Sequence, residues 1–299
     1  MGTDTSRAAA VTPPPAPSGP LSSTAQRNTS INVDPAIMVT IRPGEAGEAP
    51  LPTIASGYVA AEEIGRGGMA EINAAVQLAF GRTVAVKRLL HEITDPHAIR
   101  WFQAEAVATA LLQHPNIVPV HDLTVLPDGR LQLVMKKVEG LTWRQLLHPD
   151  AASAEQARAL GLDGHLEILL KVCDAVAFAH ARGILHRDLK PENVMIGAFG
   201  EVLVMDWGLA VAYGDHHPHP AIPHARTATV IAGTPAYMAP EMANCACDHI
   251  GPRSDVYLLG AILYEVLTGS APHRAASVKG SIALAKRGKV EQPRERAPE

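Results

Sequence analysis

The sequence predicts an α+β fold with two lobes, a small β-rich N-terminal lobe and a larger helical C-terminal lobe. Between residues 58 and 138, short runs of β-branched residues alternate with turn-forming residues, a pattern typical of antiparallel strands. Beyond Gly140, apolar residues recur at helical spacing over longer stretches. A cleft between two such lobes is the expected position of a ligand site.

The N-terminal lobe is predicted to contain two hairpins. The segments YVAAEEIG and RTVAVKRLL flank a glycine-rich turn, and one hairpin is the simplest interpretation of them. The segments NIVPVHDLTVL and RLQLVMKKV, separated by the turn sequence PDG, predict the second hairpin.

Three segments have the residue spacing of helices. Between the two hairpins, Ile99, Phe102, Ala106 and Ala110 mark one face of a helix. The segment LEILLKVCDAVAFAHARG predicts a long amphipathic helix. The segment SDVYLLGAILYEVLTG is almost wholly apolar, so the helix it predicts must be buried.

The composition is that of an ordinary globular protein without a bulk attraction for polyanions. Of the 299 residues, 47% are hydrophobic and 19% are charged, and the formal net charge is −4. This charge gives no electrostatic reason to bind nucleic acid, so no nucleic-acid partner is expected.

The cysteines and the two chain ends favour a cytoplasmic protein. Cys173, Cys245 and Cys247 lack further ligands at zinc-site spacing, so we interpret them as reduced thiols. Prolines break the apolar stretch near the N-terminus, which argues against a secretory segment. No run approaches the roughly 18 apolar residues of a membrane span. Membrane contact is therefore expected only if a segment beyond the C-terminal residue supplies it.

Composition also divides the chain. Residues 1–50 are rich in Pro, Ala, Ser and Thr, and they hold too few large apolar side chains to offset the entropy of ordering. We expect them to form a disordered tail. The expected N-terminal lobe, with its connection to the next lobe, is 51–138, and the expected C-terminal lobe is 139–299.

A glycine-rich turn, GRGGMA at residues 65–70, lies between two predicted strands. Backbone N–H groups in such a turn can approach phosphate oxygens that larger side chains would block. A dinucleotide-binding fold would need a helix directly after the glycines, whereas the residues that follow look like strand and turn. A plain hairpin turn is the alternative.

Two charged residues lie in apolar surroundings. Lys87 is inside the strand segment VAVKRLL, where a charged side chain must meet either an anion or water. Glu105 lies among alanines in the middle of a predicted helix and is a candidate partner for Lys87. The alternatives are a lysine at a strand edge and a solvated glutamate.

The segment HRDLKPEN, residues 186–193, carries the strongest chemical signal, together with MDWG at residues 205–208. Asp188 and Asn193 are five residues apart, and Asp206 follows thirteen residues after Asn193. These side chains supply one general base and two oxygen ligands for a hard cation.

Together these motifs resemble the protein kinase family. HRDLKPEN resembles its catalytic loop, DWG its metal-binding DFG motif, VAVK its strand lysine, and GTPAYMAPE the end of its activation segment. With the glycine-rich turn, five motifs occur in the family's order within residues 58–269. The chain is similar to the eukaryotic-like serine/threonine kinases of bacteria, and the resemblance implies the bilobal kinase fold.

The resemblance implies a role for each motif residue. Lys87, positioned by Glu105, is expected to hold the α- and β-phosphates of ATP. Asp188 is expected to orient the substrate hydroxyl or accept its proton, and Lys190 to neutralise the transferring γ-phosphoryl group. Asp255 matches the family's buried aspartate that fixes the backbone of the catalytic loop.

The implied cofactors are ATP and Mg²⁺, with Mn²⁺ as an alternative. Asn193 and Asp206 are the implied metal ligands. Met135 stands at the gatekeeper position, and residues 136–138 form the hinge that would meet adenine. The implied nucleotide contacts are Gly65, Gly67, Gly68, Ala70, Ile72, Ala85, Lys87, Met135, Val138, Asn193 and Asp206.

Three residues depart from the family pattern. Ala70 replaces the third loop glycine, which requires a negative φ there and predicts a weaker cover over the phosphates. Thr142 stands where many relatives have an acidic residue for the ribose, so Glu139 or a backbone group is expected to substitute. Trp207 replaces phenylalanine but keeps both flanking residues, so metal binding is expected to survive.

Activation by phosphorylation is also expected. Arg187 directly precedes the catalytic aspartate, and Thr227 and Thr229 lie just ahead of GTPAYMAPE, so a phosphate there could pair with the arginine. Thr234 within that motif, together with Lys190, is typical of serine/threonine rather than tyrosine kinases. The intervening histidines are better explained as a polar tract than as a metal site.

An active kinase with protein substrates is the leading interpretation, and dimerisation for autophosphorylation goes with it. A nucleotide-binding pseudokinase or scaffold, or a truncated inactive fragment, is the alternative. The C-terminal lobe is expected to lack its final helices, because only one weak helix is predicted after Gly269. The family's usual partner for Glu241 is then absent, and Arg287, Arg294 or Arg296 is left to replace it.

Overall fold

A β-sheet lobe is followed along the chain by a mainly helical lobe, so the predicted fold class is confirmed. The computed structural model describes residues 57–215, 217–227 and 230–297. The predicted tail, residues 1–50, lies outside the described residues. Its disorder therefore stays a prediction.

Five strands form the antiparallel sheet of the N-terminal lobe: β1 (Tyr58–Arg66), β2 (Ala70–Gln77), β3 (Arg82–Leu89), β4 (Val120–Val125) and β5 (Leu131–Lys136). Their order in the sheet is β1-β2-β3-β5-β4. The glycine-rich turn joins β1 to β2, so the prediction of one hairpin from β1 to β3 is wrong. The prediction failed because β2 lies between them in the sheet and pairs with both. This strand is rich in alanine and has few of the β-branched residues that signal a strand. The second predicted hairpin, β4 with β5, is confirmed.

The sheet curls until its two edge strands meet. The hydroxyl of Tyr58 on β1 donates to Asp122 Oδ2 on β4 at 3.2 Å. Tyr58 also packs against Val84, Val86 and Val134, whose side chains are fully buried. On the opposite face, β3 contributes to a second apolar cluster. The strand that carries the predicted lysine is therefore held by apolar packing on both of its faces.

Helix α1 (Pro96–Leu111) lies between the two pairs of strands in the sequence. Phe102 and Ala106 are buried, as predicted, whereas Ile99 and Ala110 are exposed. The predicted face is therefore only partly right. The observed buried face is rotated relative to the predicted one, because it also includes Glu105, whose side chain points into the protein.

In the described part of the chain, the helices of the C-terminal lobe are α2 (Trp143–Leu147), α3 (Ala154–Ala181), α4 (Pro240–Ala243), α5 (Pro252–Thr268), α6 (Val278–Arg287) and α7 (Pro293–Arg296). The helical path of α3 is interrupted at Gly161, where φ is 60° and ψ is −176°. Helix α5 ends at Gly269, whose φ of 72° lies in the left-handed region that glycine adopts easily. No helix within the described ranges is long and apolar enough to cross a bilayer.

Helix α5 contributes to the large apolar core of the C-terminal lobe. Leu258, Ala261 and Ile262 on α5 are buried in that core. Val256 and Leu267, however, are 59% and 46% exposed. The prediction of a wholly buried helix therefore holds for one side of α5.

Short strands position the segments HRDLKPEN and MDWG of the C-terminal lobe. They are β6 (Gly140–Thr142), β7 (Ile184–Leu185), β8 (Val194–Gly197), β9 (Val202–Val204) and β10 (Val211–Ala212). Strand β7 directly precedes HRDLKPEN and pairs with β10, which follows DWG. Strands β8 and β9 form a hairpin, and β6 pairs with β8. These pairings bring the two segments side by side.

Glu241, half-buried in α4, accepts a hydrogen bond from Ser254 Oγ at 2.6 Å. Among the described residues, no arginine pairs with this carboxylate. The predicted replacement partners, Arg287, Arg294 and Arg296, therefore do not take that role here.

A buried hydrogen bond makes the stability of the C-terminal lobe sensitive to pH. The fully buried Trp143 donates through Nε1 to His165 Nδ1 at 2.9 Å, so this nitrogen must be unprotonated. Burial lowers the pKa of His165 accordingly. Because the folded state favours the neutral ring, its stabilisation is complete above the ordinary histidine pKa and is lost as the pH falls through the lower folded value.

We expect His165→Asn to flatten this pH dependence, since the asparagine carbonyl can accept the same bond without titrating. The free energy of unfolding of the wild type should fall by about 1 kcal/mol more than that of the variant on acidification, the size of one hydrogen bond. Urea unfolding at neutral and mildly acidic pH measures the difference. Parallel pH profiles would contradict the assignment.

Candidate active site

Strand β3 and helix α1 bring two opposite charges together behind the glycine-rich turn. Lys87 Nζ lies 2.5 Å from Glu105 Oε1, and the two side chains are only 17% and 10% exposed. Burial alone would lower the pKa of Lys87, but the carboxylates of Glu105 and Asp206 outweigh it and raise this pKa. The alternatives of a strand-edge lysine and a solvated glutamate do not hold. Lys87 is a fixed positive charge beside the cleft.

Asp255 holds the backbone of the catalytic loop from the first turn of α5. The fully buried carboxylate accepts from Arg187 N through Oδ1 at 2.9 Å, and from His186 N through Oδ2 at 2.9 Å. His180 Nε2 donates to the same Oδ2 at 2.8 Å. These bonds stabilise Arg187 at φ 68°, a left-handed conformation that costs a side-chain-bearing residue roughly 1–2 kcal/mol.

The predicted general base is the centre of a polar cluster. Asp188 Oδ1 accepts from the backbone N and the hydroxyl of Thr234 at 2.8 and 2.7 Å, and Oδ2 accepts from Lys190 Nζ at 2.8 Å. Lys190 Nζ also donates to the Thr234 hydroxyl at 2.7 Å. The catalytic loop and the end of the predicted activation segment are thus joined at the base.

Two oxygen donors lie next to each other below this cluster. Met205 N donates to the backbone oxygen of Asn193 at 2.8 Å, which places Asn193 beside Asp206. The side-chain amide nitrogen of Asn193 donates to the backbone oxygen of Asp188 at 2.8 Å, so its amide oxygen is left for another partner. Mg²⁺ commonly takes one or two protein oxygens and completes its shell with phosphate and water. The residues present therefore fit a divalent metal.

His186 and Trp207 fix the backbone on either side of Asp206. His186 Nδ1 accepts from Asp188 N at 3.2 Å, and its Nε2 donates to Met205 O at 3.1 Å. The indole of Trp207 is 1% exposed and lies 4.6 Å from the His186 ring between centroids. Trp207 Nε1 has no hydrogen-bond partner among the described residues, a cost of roughly 1–3 kcal/mol. The larger residue of DWG is thus accommodated in the core, with its indole tilted at 52° to the His186 ring.

A cavity of about 420 Å³ lies under the glycine-rich turn. The predicted nucleotide contacts that line it are Gly67, Gly68, Ala70, Ile72, Lys87 and Asp206. Glu105 and Asp188 line it as well. The predicted contacts that do not line it are Gly65, Ala85, Met135, Val138 and Asn193. The structure therefore brings the predicted phosphate end of the site together in one space.

Part of the cavity wall escaped the sequence analysis. The missed residues are Met69, Leu89, Ala98, Trp101, Phe102, Gly208 and Leu209. Ala98, Trp101 and Phe102 lie seven, four and three residues before Glu105, so they share its face of α1. Counting back from the glutamate at helical spacing would have found them.

Two departures from the family pattern have local explanations. Ala70 is not among the described non-glycine residues with positive φ, so its Cβ is tolerated in the turn. Gly67 N donates to Ala70 O at 2.8 Å and closes this turn. Thr142 caps α2, because its Oγ1 accepts from Gln145 N at 3.3 Å and donates to Gln145 Oε1 at 3.0 Å. Which residue meets a ribose stays a prediction.

Arg187 is 5% exposed, and its Nε has no hydrogen-bond partner among the described residues. Burial lowers the pKa of this guanidinium, and Asp255 and Cys247 act in the opposite direction. Thr227 is exposed at the end of a short 3-10 turn and donates through its hydroxyl to His224 O at 2.7 Å. Thr229 lies outside the described residues. A buried arginine with an unused Nε–H, next to the predicted general base Asp188, is therefore available to donate to an anion.

The segment between DWG and Thr227 leaves the body of the lobe and returns to it. Ala212 N, at the end of β10, donates to Pro223 O at 2.8 Å, and the neighbouring Ile222 is fully buried. The rings of His217 and His224 lie 6.1 Å apart. No cluster of three or more candidate metal ligands is present in the ranges described. The excursion is thus closed by a backbone bond and an apolar anchor.

Similarity to known proteins extends over most of the described residues. A family model described as Protein kinase domain matches residues 58–296. The chain is 35% identical over 250 residues to the serine/threonine-protein kinase PknD of Chlamydia pneumoniae, covering 79% of this chain and 26% of that protein. It is 41% identical over 219 residues to the serine/threonine-protein kinase PknB of Mycobacterium tuberculosis, covering 72% and 33%. The chain thus spans about a third or less of the length of these curated relatives.

We expect Asp255→Ala to destabilise the fold and to disorder the catalytic loop. Removal of the carboxylate leaves two buried backbone N–H groups without an acceptor, at roughly 1–3 kcal/mol each. The exposed Asp163 on α3 is the matched control, and Asp163→Ala should change stability by about 0.5 kcal/mol or less. Urea unfolding compares the three proteins. If Asp255→Ala were as stable as the wild type and Asp163→Ala, Asp255 would not be needed to hold the backbone of the catalytic loop.

Proposed function

Because the chain belongs to the protein kinase family, we propose that it transfers the γ-phosphate of ATP to serine or threonine hydroxyls of protein substrates. One observation carries the proposal: Lys87, Asp188 and Asp206 line the same cavity under the glycine-rich turn. A cation for phosphates, a base for a hydroxyl and a metal ligand thus face one space. This is the set that phosphoryl transfer needs, since its catalysis consists mainly of positioning and charge compensation.

The phosphate end of the site is held by the N-terminal lobe. Lys87 is proposed to bind the α- and β-phosphates, and its pair with Glu105 keeps the ammonium group extended toward them. A Cβ added at Gly68 would meet nothing within 4 Å, so there is space at the turn for phosphate oxygens. Backbone N–H groups can therefore approach the nucleotide closely.

Asn193 and Asp206 are proposed to hold Mg²⁺, with Mn²⁺ as an alternative. When bound, the divalent ion would offset the negative charge of the phosphates. The protein's contribution is to fix the two oxygen donors. Asn193 is oriented by its bond to the backbone of Asp188, and Asp206 by the flanking contacts of His186.

The hydroxyl end of the site is held by the C-terminal lobe. Asp188 is proposed to orient the substrate hydroxyl and accept its proton. The Thr234 hydroxyl donates to Asp188 Oδ1 and accepts from Lys190 Nζ, so it keeps base and cation in register. Lys190 is then placed to compensate charge on the transferring phosphoryl group.

The comparisons give no support to a pseudokinase or scaffold, the alternative that the sequence departures suggested. Ala70 and Thr142, on which that alternative depended, have the local explanations given above. We therefore propose an active enzyme whose partners are protein substrates, placed in the cytoplasm.

We expect Lys87→Met and Asp206→Asn to reduce phosphotransfer at least about 100-fold, because each removes an electrostatic contact to the ATP–metal complex. Lys279→Met, at an exposed lysine on α6, is the matched control and should keep wild-type activity. Transfer from radiolabelled ATP with Mg²⁺ to a generic protein substrate measures the rates. Circular dichroism should show that all three variants are folded.

Asp188→Asn tests the proposed function itself. Loss of the general base should lower the rate about 100- to 10,000-fold while nucleotide binding persists. A wild-type protein that binds ATP and transfers no phosphate under any metal condition would contradict the proposed function. Equal rates for wild type and Asp188→Asn would contradict the role of this residue.

We also propose that phosphorylation at Thr227 or Thr229 activates the enzyme through Arg187. A phosphate carries about −1.5 to −2 charges and several strong acceptors, and Arg187 is buried with an unpartnered Nε. A charge-assisted hydrogen bond there would order the segment. Autophosphorylation between two copies is the proposed source of the phosphate.

We expect mass spectrometry after incubation with ATP to find phosphate on Thr227 or Thr229. The double variant Thr227→Ala/Thr229→Ala should lose most of the activity gained during that incubation. Thr83→Ala, at an exposed threonine on β3, is the control and should behave as wild type. An unphosphorylated activation segment, or full activation of the double variant, would refute the proposal.

A further inference from the structure

The hairpin between β8 and β9 ends in a phenylalanine that makes no use of its side chain within the lobe. Phe199 is 108% exposed, and its φ is 59°. Gly200 follows with φ 75°. The bond from Gly197 N to Glu201 O at 2.8 Å closes the turn without help from the aromatic ring.

Hairpin formation does not explain this residue. Consecutive left-handed residues in a tight hairpin favour asparagine or aspartate followed by glycine. A phenylalanine there loses backbone free energy and exposes its whole ring to water. Both effects are unfavourable for the isolated chain. The side chain is therefore suited to a contact outside its own lobe.

A cavity with apolar walls opens directly beside this turn. Its volume is about 550 Å³, and its walls include Leu141, Leu146, Leu160 and Ile196. Ala198 lines this cavity and directly precedes Phe199. The exposed ring and the cavity are thus neighbours on one face of the C-terminal lobe.

The same face carries balanced charges. A shallow depression next to the cavity is lined by Lys136, Lys137, Glu139, Glu201 and Phe199. Lys136 pairs with Glu201, and Lys137 lies 3.3 Å from Glu139. The rim thus carries two positive and two negative side chains. If a second copy is placed against it by a twofold rotation, opposite charges can face each other.

We propose that this face is a self-association surface, in which Phe199 of each of two copies enters the cavity beside Phe199 of the other. A projecting side chain and a receiving cavity on one face are self-complementary under twofold rotation, which is the commonest symmetry of protein dimers. The rim carries two lysines and two glutamates, so a second copy can offer each lysine an acidic side chain in addition to its partner in the same copy. The occupant of the cavity is therefore a second copy of this chain.

The surface lies outside the cavity under the glycine-rich turn, but it adjoins the predicted hinge, to which Lys136 and Lys137 belong. None of its named residues lines the cavity under the glycine-rich turn. Its small extent predicts a weak, reversible dimer. Such a dimer would bring a second copy close, and its existence does not depend on catalytic activity.

Sedimentation velocity over a wide concentration range tests the proposal. We expect the wild type to associate reversibly and Phe199→Asn to bind at least tenfold more weakly. Asparagine tolerates the left-handed turn, so the same variant should melt at a higher temperature than the wild-type monomer, which excludes misfolding as the cause. Phe80→Asn, at the other strongly exposed phenylalanine on the turn after β2, is the control and should associate as wild type.

A mixing experiment then tests the predicted geometry. Gln156→Trp, at an exposed residue that lines the cavity, should block the cavity and also abolish association. A mixture of Phe199→Asn and Gln156→Trp should associate more tightly than either variant does alone. The intact Phe199 of one copy can then enter the open cavity of the other.

Four results would overturn the proposal. The first two are a wild type that stays monomeric up to its solubility limit and equal weakening by the variants at Phe199 and Phe80. The third is a mixture that associates no more tightly than either variant alone. The fourth is a wild-type dimer unaffected by Phe199→Asn, because the contact would then lie elsewhere.

Discussion

Asp255 accepts two consecutive backbone N–H groups of the catalytic loop while sitting at the base of the helix that crosses the apolar core. The backbone of the catalytic loop is therefore bonded directly to α5, a helix packed in the core. Arg187 can stay in its left-handed conformation only while those bonds persist, and the orientation of Asp188 follows from it. His186 extends the same constraint to Asp206 by bonding the backbone just before it. A single buried carboxylate thus sets the positions of the proposed base, Asp188, and the proposed metal ligand, Asp206.

Glu105, from the N-terminal lobe, comes close to the DWG segment of the C-terminal lobe at Gly208. A Cβ built there would lie 3.1 Å from Asp206 Oδ1, closer than most side chains approach, and 3.4 Å from Glu105 Oε2, which is about van der Waals contact. The glycine of DWG therefore allows α1 to approach the metal-binding segment. Lys87 lies in a strand that is packed on both faces, and it holds Glu105 by their ion pair. The approach of α1 to this segment is thus mainly an electrostatic matter of the pair between Lys87 and Glu105.

The sequence was sufficient for the parts of the molecule that depend on local chemistry. The lobes, the second hairpin, the ends of α5 and the motif residues around Asp188 could all be predicted. It was insufficient where tertiary contacts decide. Strand β2 has only two β-branched residues, Ile72 and Val76, among its alanines. The buried face of α1 is set by the pair of Glu105 with Lys87, and the hydroxyl of Thr142 is used to cap a helix. None of these outcomes follows from residue type alone.

The excursion between β10 and Ile222 has a consequence for how the kinase can vary. Its two ends are joined by the bond from Ala212 N to Pro223 O, so residues added between them need not displace either end. Lengthening a closed loop costs little, about 0.6 kcal/mol for each doubling. A foreign sequence inserted there, such as an epitope or a fluorescent reporter, would therefore start and end at backbone positions that are held together. This segment, next to the proposed phosphorylation sites, is thus a suitable insertion site.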